Sequence, residues 1–564
     1  MQEIELKLQI PPAARAAVDK ALRGRGSPPQ TLRLVAAYFD TPDRRLARAG
    51  MALRVRREGR QWVQTLKAGG PNALQRLEHN VPRRPPAGGV LAPDLSLHDG
   101  TPAAALLRAA LAPVDGQPAA PLVELYRTDI RRTSRSRRTP LGTVELAWDV
   151  GHIAAGGRKL AVSELEIELL RGDPRAVIEE ARRWVQGHGL WLDTQTKAHR
   201  GDHLARGAQP QPRVVAWPVL AVDGQGPTVG QAWERIHAVL LTGLLDNASA
   251  IAAGQGQPEH LRRLRVGLRR LRSAWRLFDG WGPAAADDVK RAAVALYRHL
   301  GQARDSDVLA ALVPALEQAG APRQALHAPV QPAVAEAGQQ KPPHPTDALT
   351  AELRSPAVNQ LWLELLALGL PPAATPAGNA SGRSGAAAPS SGPTALRPAS
   401  PTARADAPGG SGSRAAGADV IAADDAAERT ATLARPLRPL ALRRLKRWHH
   451  RAAEQAVRYA ELSDTERHEL RKQLKRLRDG LDATAALLPP RRLRKQLAAL
   501  KAAQDALGQL NDEVVAAQLA RQQADAGHGP AWFIVGWLAA RRDATVQAAG
   551  QALHDWRDAP AFWK

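Results

Sequence analysis

The chain has 564 residues, more than one hydrophobic core usually supports, so at least two domains are expected. Its 78 Lys plus Arg against 55 Asp plus Glu leave a net charge of +23, which calls for an anionic partner such as polyphosphate, nucleic acid or a lipid surface without choosing among them. No cysteine is present, which excludes disulfides and thiolate metal sites and fits a reducing compartment.

The first run, EIELKLQI, alternates like a strand: Glu3, Glu5, Lys7 and Gln9 fall on one side, Ile4, Leu6, Leu8 and Ile10 on the other. That pattern recurs along the next 165 residues or so. Arg54 and Arg56 share a side in the run 53–56, and Lys67 sits in the strand-like run 62–67. QRLEHNV carries Arg76 and Glu78, TDIRR ends at Arg132, and TVELAWDVG aligns Glu145 with Asp149. ELEIEL places Glu164, Glu166 and Glu168 together, with Leu165, Ile167 and Leu169 facing away.

Many antiparallel strands with one ionic side can lie open in water or curl so that the ionic sides share an interior. Basic groups on some strands and glutamates on others match what a polyanion and a divalent cation together require. Guanidinium groups fork onto phosphate oxygens, and clustered carboxylates hold a hard cation such as Mg²⁺ or Mn²⁺.

EIELK matches the ExExK signature of the CYTH family, the triphosphate tunnel metalloenzymes. The order YFDTPDRRLARAGMALRVRREG, TLK, TDIRR, VELAWDVG, ELEIEL, TKAHRG resembles the course of that family over about the first two hundred residues. The resemblance implies a closed eight-stranded antiparallel tunnel holding a triphosphate. It implies phosphate clamps at Lys7, Arg54, Arg56, Lys67, Arg132 and Lys197, with Arg76 as a further substrate-binding group. The metal-holding set is then Glu3, Glu164, Glu166 and Glu168, with Asp149 or Glu145 adding to it, and Glu5 orients or deprotonates the attacking water. The chemistry implied is metal-assisted hydrolysis of a phosphoanhydride by preorganised charge, with little covalent catalysis.

Between about 205 and 227 the pattern dissolves into QPQPRVVAWPVL and DGQGP, a linker by its Pro and Gly content. Beyond it, apolar residues recur at three and four spacing and the rest of the chain reads as helical. The fold class expected is therefore α+β in several domains: a β tunnel over 1–205, a linker over 206–227, and an all-α half over 228–564. Two stretches near 320–346 and 371–430, dominated by Ala, Pro, Gly and Ser, are expected as disordered insertions.

An internal repeat flanks the longer insertion. RRLRVGLRRLRSAW from Arg262 parallels HELRKQLKRLRDGL from His468, matching Arg265 with Arg471, Arg269 with Lys475, Arg270 with Arg476 and Arg272 with Arg478. LGQARDSDV from Leu300 parallels LGQLNDEVV from Leu507. On a helix Arg262, Arg265, Arg269, Arg272 and Arg276 form one basic stripe, with Leu264, Leu268, Leu271 and Trp275 as the buried seam; His468, Arg471, Lys475 and Arg478 repeat the stripe. Like charges at four spacing repel by a few tenths of a kcal/mol per pair, so two equivalent stripes point to a common anionic ligand.

This half resembles the CHAD domain from about 230 to 558, which implies a helical bundle with two-fold pseudosymmetry and a basic groove for inorganic polyphosphate. One departure is that Arg262 stands where the family carries His, with His260 two residues early. His449 and His450 read as structural or surface groups, since neighbouring helix positions point apart.

Three functional classes follow. The leading one is a metal-dependent inorganic triphosphatase whose helical half binds polyphosphate. Adenylyl cyclase is the alternative within the same family, although no residue here supplies an adenine site. A non-enzymatic polyphosphate binder is the third, and aromatic residues at 4% leave few stacking platforms for nucleic acid, so a sequence-specific DNA reader is not expected. The amino terminus runs straight into the first strand and the longest apolar stretch, near 531–540, is short for a bilayer, so a cytoplasmic protein without membrane insertion is expected.

Overall fold

The computed structural model describes residues 2–24, 28–70, 72–84, 92–113, 120–224, 226–302, 305–321, 345–370 and 430–563. The stretches read as insertions fall mostly on 322–344 and 371–429, outside the described residues.

Eight antiparallel strands close on themselves: β1 (Gln2–Gln9), β2 (Gln30–Asp40), β3 (Met51–Glu58), β4 (Gln61–Gly69), β5 (Gln75–Arg83), β6 (Val123–Thr139), β7 (Gly142–Ala155) and β8 (Arg158–Gly172). They run in the order β5-β4-β3-β2-β6-β7-β8-β1, and a β5–β1 pairing through Glu3 and Arg76 seals the barrel. A two-residue strand, β9 (Trp191–Leu192), extends the sheet beside β1. Closure removes the sheet edges and turns one face of every strand inward. The β7–β8 hairpin turns on Gly156 and Gly157, with φ of 52° and 79°, a left-handed pair that side chains at either position would strain. Within the YFDTPDRRLARAG block, buried Asp40 accepts from the backbone N–H of Thr41, Leu46 and Ala47 and so ties the turn into helix α2 (Arg45–Arg48).

Short helices α1 (Arg15–Leu22) and α3 (Pro102–Ala110) pack outside, as does α4 (Arg175–His188). Helix α5 (Lys197–Arg206) contacts β6, β7 and β8. The outer face of the barrel is apolar where α4 and the helical half cover β1, β7 and β8, whereas β2 and β6 carry the exposed pair Arg33–Asp129 on their outward side. Leu165 and Ile167 are fully buried in a core shared with α4 and with the helical half, each contributing roughly 1.5–3 kcal/mol by leaving water.

The helical half comprises α6 (Val229–Ala252), α7 (Pro258–Phe278), α8 (Asp287–Gln302), α9 (Asp305–Gln318), α10 (Pro345–Arg354) and α11 (Pro356–Leu368), then α12 (Leu437–Val457), α13 (Asp464–Ala483), α14 (Pro490–Asp525) and α15 (Ala531–Asp558). Leu264, Leu268 and Leu271 are buried along α7 as the three-four spacing requires, while Trp275 is only partly buried between the two large cores. His449 is buried against Trp556 and Trp563, with ring centroids 5.0 Å away in each case. Among the described residues no helix is long and apolar enough to cross a membrane.

Candidate active site

Strand alternation places Glu3, Glu5 and Lys7 of β1, Arg54 and Arg56 of β3, Lys67 of β4, Arg76 of β5, Arg132 of β6, Glu145 and Asp149 of β7, and Glu164, Glu166 and Glu168 of β8 on the inner face. Lys197 enters the same interior from the first turn of α5, whose N-cap is Thr196. The ionic sides read from separate strands thus meet inside one barrel.

They meet as two groups. In the first, Arg132 donates to both oxygens of Asp149 at 2.7 Å and also reaches Glu166. The Lys197 ammonium lies 2.6 Å from Asp149 and 3.0 Å from Glu166 and contacts Glu164, which also receives Arg200. Oxygens of Asp149, Glu164 and Glu166 lie within 4.8 Å of one another, the one such carboxylate trio among the described residues. Burial opposes ionisation of Glu166, but Lys197, Arg132 and Lys7 outweigh it and hold its carboxyl well below the usual range. Gln9 bridges Glu164 and Asp193 at 3.2 and 2.9 Å.

The second group gathers toward the start of β1. Lys67 lies 2.8 Å from Glu3 and 2.5 Å from Glu78, while Glu5 pairs with Lys7 and, at 3.3 Å, with Arg76. Burial, then a hydrogen bond shared with Glu78, pushes Glu3 up to about 8. Glu5 is buried too, yet Lys7 and Lys67 pull it down to about 2. Glu168 sits directly across from both Glu5 and Glu145; neither Glu168 nor Glu145 has an ion-pair partner among the described residues, and burial pushes Glu168 up to about 7. Opposite these, Arg54 donates to Tyr38 at 3.3 Å and Arg56 to Glu58 at 2.6 Å; burial and the adjacent Arg54 lower Arg56 to about 10.

The antiparallel register divides the expected metal-holding residues between two places along the barrel. Glu5 faces Glu168 and Gln9 faces Glu164, so Glu3 and Glu164 are separated by about six residues, roughly 20 Å along the strand. One ion cannot be held by both. The donor chemistry fits a hard divalent cation, because every available ligand is a carboxylate oxygen and Glu145 and Glu168 have no ion-pair partner among the described residues, while Glu3 is held by Lys67 at 2.8 Å.

The inward side of β6–β8 also changes character along its length. Beyond Arg132, Asp149 and Glu164 come Ile130, Ile153 and Val162, which pack with Tyr38, Tyr126, Ala198 and Leu204. Helix α5 plugs this end, and its Gly201 lies so close to the Tyr126 ring that any Cβ would collide with it at 2.3 Å. Sequence reasoning missed this plug, together with Arg200, Asp193 and Tyr38. Arg200 was findable, since it lies three residues after Lys197 and therefore on the same helix face.

In the helical half, Arg265 and Arg272 flank the Tyr297 ring at 5.6 and 5.5 Å, and Arg269 lies 3.4 Å from buried Asp479 of α13. Of the two LGQ glycines, only the second is packed tightly against its stripe arginine. A Cβ on Gly301 would stand 3.6 Å from the Arg265 guanidinium, and one on Gly508 would stand 3.3 Å from that of Arg471. His468 bonds Asn511, and Arg478 lies 3.3 Å from Gln504; Lys475 occupies the next turn of the same helix. Arg262 is exposed and held by Glu259 through bonds of 2.5 and 2.6 Å. His260 is a buried capping group: its Nδ1 accepts from the Gln257 N–H at 3.0 Å, as Glu466 accepts from the Ser463 N–H at 2.8 Å in the second repeat. The repeat therefore extends back to the helix caps.

The CYTH domain family matches residues 1–201 and the CHAD domain family matches residues 236–521. The chain belongs to the CHAD family, with a CYTH domain ahead of it. An inorganic triphosphatase from Haemophilus influenzae is 30% identical over 208 residues, covering 36% of this chain and 54% of that protein. The chain thus spans about half the length of the curated relative it matches. Among solved structures, the CHAD domain from the plant Ricinus communis is 22% identical over 61% of this chain and 96% of its own, with a TM-score of 0.38. A putative adenylyl cyclase from Hippeastrum, described as revealing a dominant triphosphatase activity, is 18% identical over 37% of this chain and 97% of its own, with a TM-score of 0.26.

Proposed function

We propose that the barrel hydrolyses inorganic triphosphate with Mg²⁺ or Mn²⁺, and that the helical half binds inorganic polyphosphate. The observation that carries this reading is the convergence of Lys7, Arg54, Arg56, Lys67, Arg132 and Lys197 with two carboxylate groups inside one closed barrel.

In this reading Arg54, Arg56, Lys67 and Arg132 clamp the phosphate oxygens, and Lys7 and Lys197 neutralise charge as it moves toward the leaving group. Glu3, Glu145 and Glu168 hold the divalent ion, which when bound supplies Lewis-acid neutralisation of phosphoryl oxygens. Phosphate taking Arg132 and Lys197 from their carboxylates leaves Asp149, Glu164 and Glu166, with oxygens within 4.8 Å, as a second place for a hard cation. Glu5 stays ionised and accepts a hydrogen bond from the attacking water, holding it in line with the scissile bond. Triphosphate and water then yield pyrophosphate and orthophosphate.

The test incubates the purified full chain with triphosphate, ATP, pyrophosphate and long polyphosphate, with Mg²⁺, with Mn²⁺ or with EDTA. Orthophosphate and pyrophosphate from triphosphate, abolished by EDTA, is the expected product pattern. Cyclic AMP from ATP, or unchanged triphosphate with either metal, overturns it. For the helical half, polyphosphate must bind more tightly than DNA of matched charge across a salt series; equal affinities and slopes would reduce the interaction to counterion release.

A further inference from the structure

The segment that delivers Lys197 and Arg200 to the barrel interior is held from outside by the helical half. Strand β9 lies on β1, with Leu192 opposite Leu8, and from there the chain has four residues before α5 begins. The Leu192 N–H donates to the buried side chain of Asn359 in α11 at 2.7 Å; Asn359 is itself fixed by donating to the carbonyls of Leu353 and Ser355 at 3.1 and 2.9 Å. The Thr194 N–H donates to Ser249 of α6 at 3.0 Å, and the Thr194 hydroxyl donates to Asp246 of α6 at 2.9 Å. From the barrel the segment receives the β9–β1 pairing and the Asp193 contacts: the Asp193 N–H donates to the Lys7 carbonyl at 3.0 Å and its carboxylate accepts from Gln9 at 2.9 Å. Two residues beyond Thr194, Thr196 caps α5, and Lys197 follows immediately with its ammonium 2.6 Å from Asp149. Leu245 of α6 and Leu366 of α11 also line a small cavity together with Glu5, Lys7, Arg76 and Thr194, so the two halves share walls around the ExExK strand.

We infer that Asn359, Ser249 and Asp246 are positioning residues for the tunnel, and that the helical half is part of the device that aims Lys197 and Arg200. This rests on the triphosphatase reading above. A cation misplaced by an ångström inside a preorganised site loses much of its effect on the reacting phosphate, so loosening the anchor must register in substrate binding.

The experiment compares full-length Thr194→Val/Ser249→Ala with Thr194→Ser and with Glu364→Gln. Glu364 pairs with Arg182 at 2.8 Å across the same domain boundary but does not touch the segment. Steady-state kinetics on triphosphate and hydrogen exchange of residues 192–200 are read together. The double variant is expected to raise KM roughly tenfold with a smaller change in kcat and to speed exchange at the first turn of α5, while Thr194→Ser and Glu364→Gln behave as wild type. An unchanged KM despite faster exchange overturns the inference, as does a KM rise of equal size in Glu364→Gln. Should the wild-type chain leave triphosphate intact, the catalytic reading fails by itself, and exchange decides the anchoring: unaltered exchange in the double variant overturns that too.

Discussion

Replacing Lys197 by Met tests the charge balance on which the tunnel depends. Three carboxylates (Asp149, Glu164 and Glu166) meet three cations (Lys197, Arg132 and Arg200) at 3.0 Å or less in the first group, all six are largely buried, and Lys7 stands further off at 4.0 Å from Glu166. Removing Lys197 leaves three negative charges against two positive ones in a site that water barely reaches. Breaking a buried ion network by deleting one partner costs about 3–5 kcal/mol, because the charge left behind is no longer compensated. For a domain of about 200 residues that corresponds to a fall of roughly 6–20 °C in Tm. Thermal unfolding of the full chain at pH 7.5, followed by calorimetry, measures it. The companion Lys197→Met/Glu164→Gln restores two against two and should recover roughly 0.5–3 kcal/mol over the single variant. A Lys197→Met protein that unfolds at the wild-type temperature, or a double variant less stable than the single, would refute the reasoning.

Glu5→Gln keeps the shape of the side chain and removes the ionised oxygen, so triphosphate turnover should fall about 10²–10³-fold with KM little changed; a kcat within threefold of wild type would remove Glu5 from the water-orienting role. Arg265→Ala/Arg471→Ala should weaken polyphosphate binding and lower the slope of log K against log salt by about 1–2, because two guanidinium groups leave the repeated stripes; an unchanged slope would place the polyphosphate elsewhere. His237 is buried against Trp233, and burial alone lowers it from 6.5 to about 4. A histidine depressed in this way gives its full contribution above pH 6.5 and loses it as pH falls toward 4, about 3 kcal/mol in all. In denaturant unfolding at pH 7 and 4.5, His237→Phe should therefore lose less stability on acidification than wild type, and an equal loss in both would contradict the assignment.

Much of the barrel was legible because a strand's side-chain period is two: Glu3, Glu5 and Lys7 could share only one face, and so could Glu164, Glu166 and Glu168. The helical repeat was equally legible, since the spacing of Arg265, Arg269 and Arg272 reappears in α13 and its leucines are buried as the helical period demands. How the acidic positions divide along the barrel was not, because strand register depends on how β1 lies against β8, and a list of acidic positions carries no information about which of them stand side by side. Nor could the role of His260 be read, since a capping bond and a ligand bond call for the same residue in nearly the same place.

By itself the sequence determined which side chains share a face: local covalent geometry sets the periods of strand and helix, and these act over a few residues. Only the tertiary structure decided how those faces meet. Closure through the β1–β5 pairing made an interior, the register divided the carboxylates between two places, and packing of α5 against Tyr126 turned one end of that interior from ionic to apolar. The anchoring of residues 191–196 by Asn359, Ser249 and Asp246 is the extreme case. Those partners lie more than fifty residues away along the chain, and only the long-range burial of apolar surface between the two halves brings them within hydrogen-bonding reach.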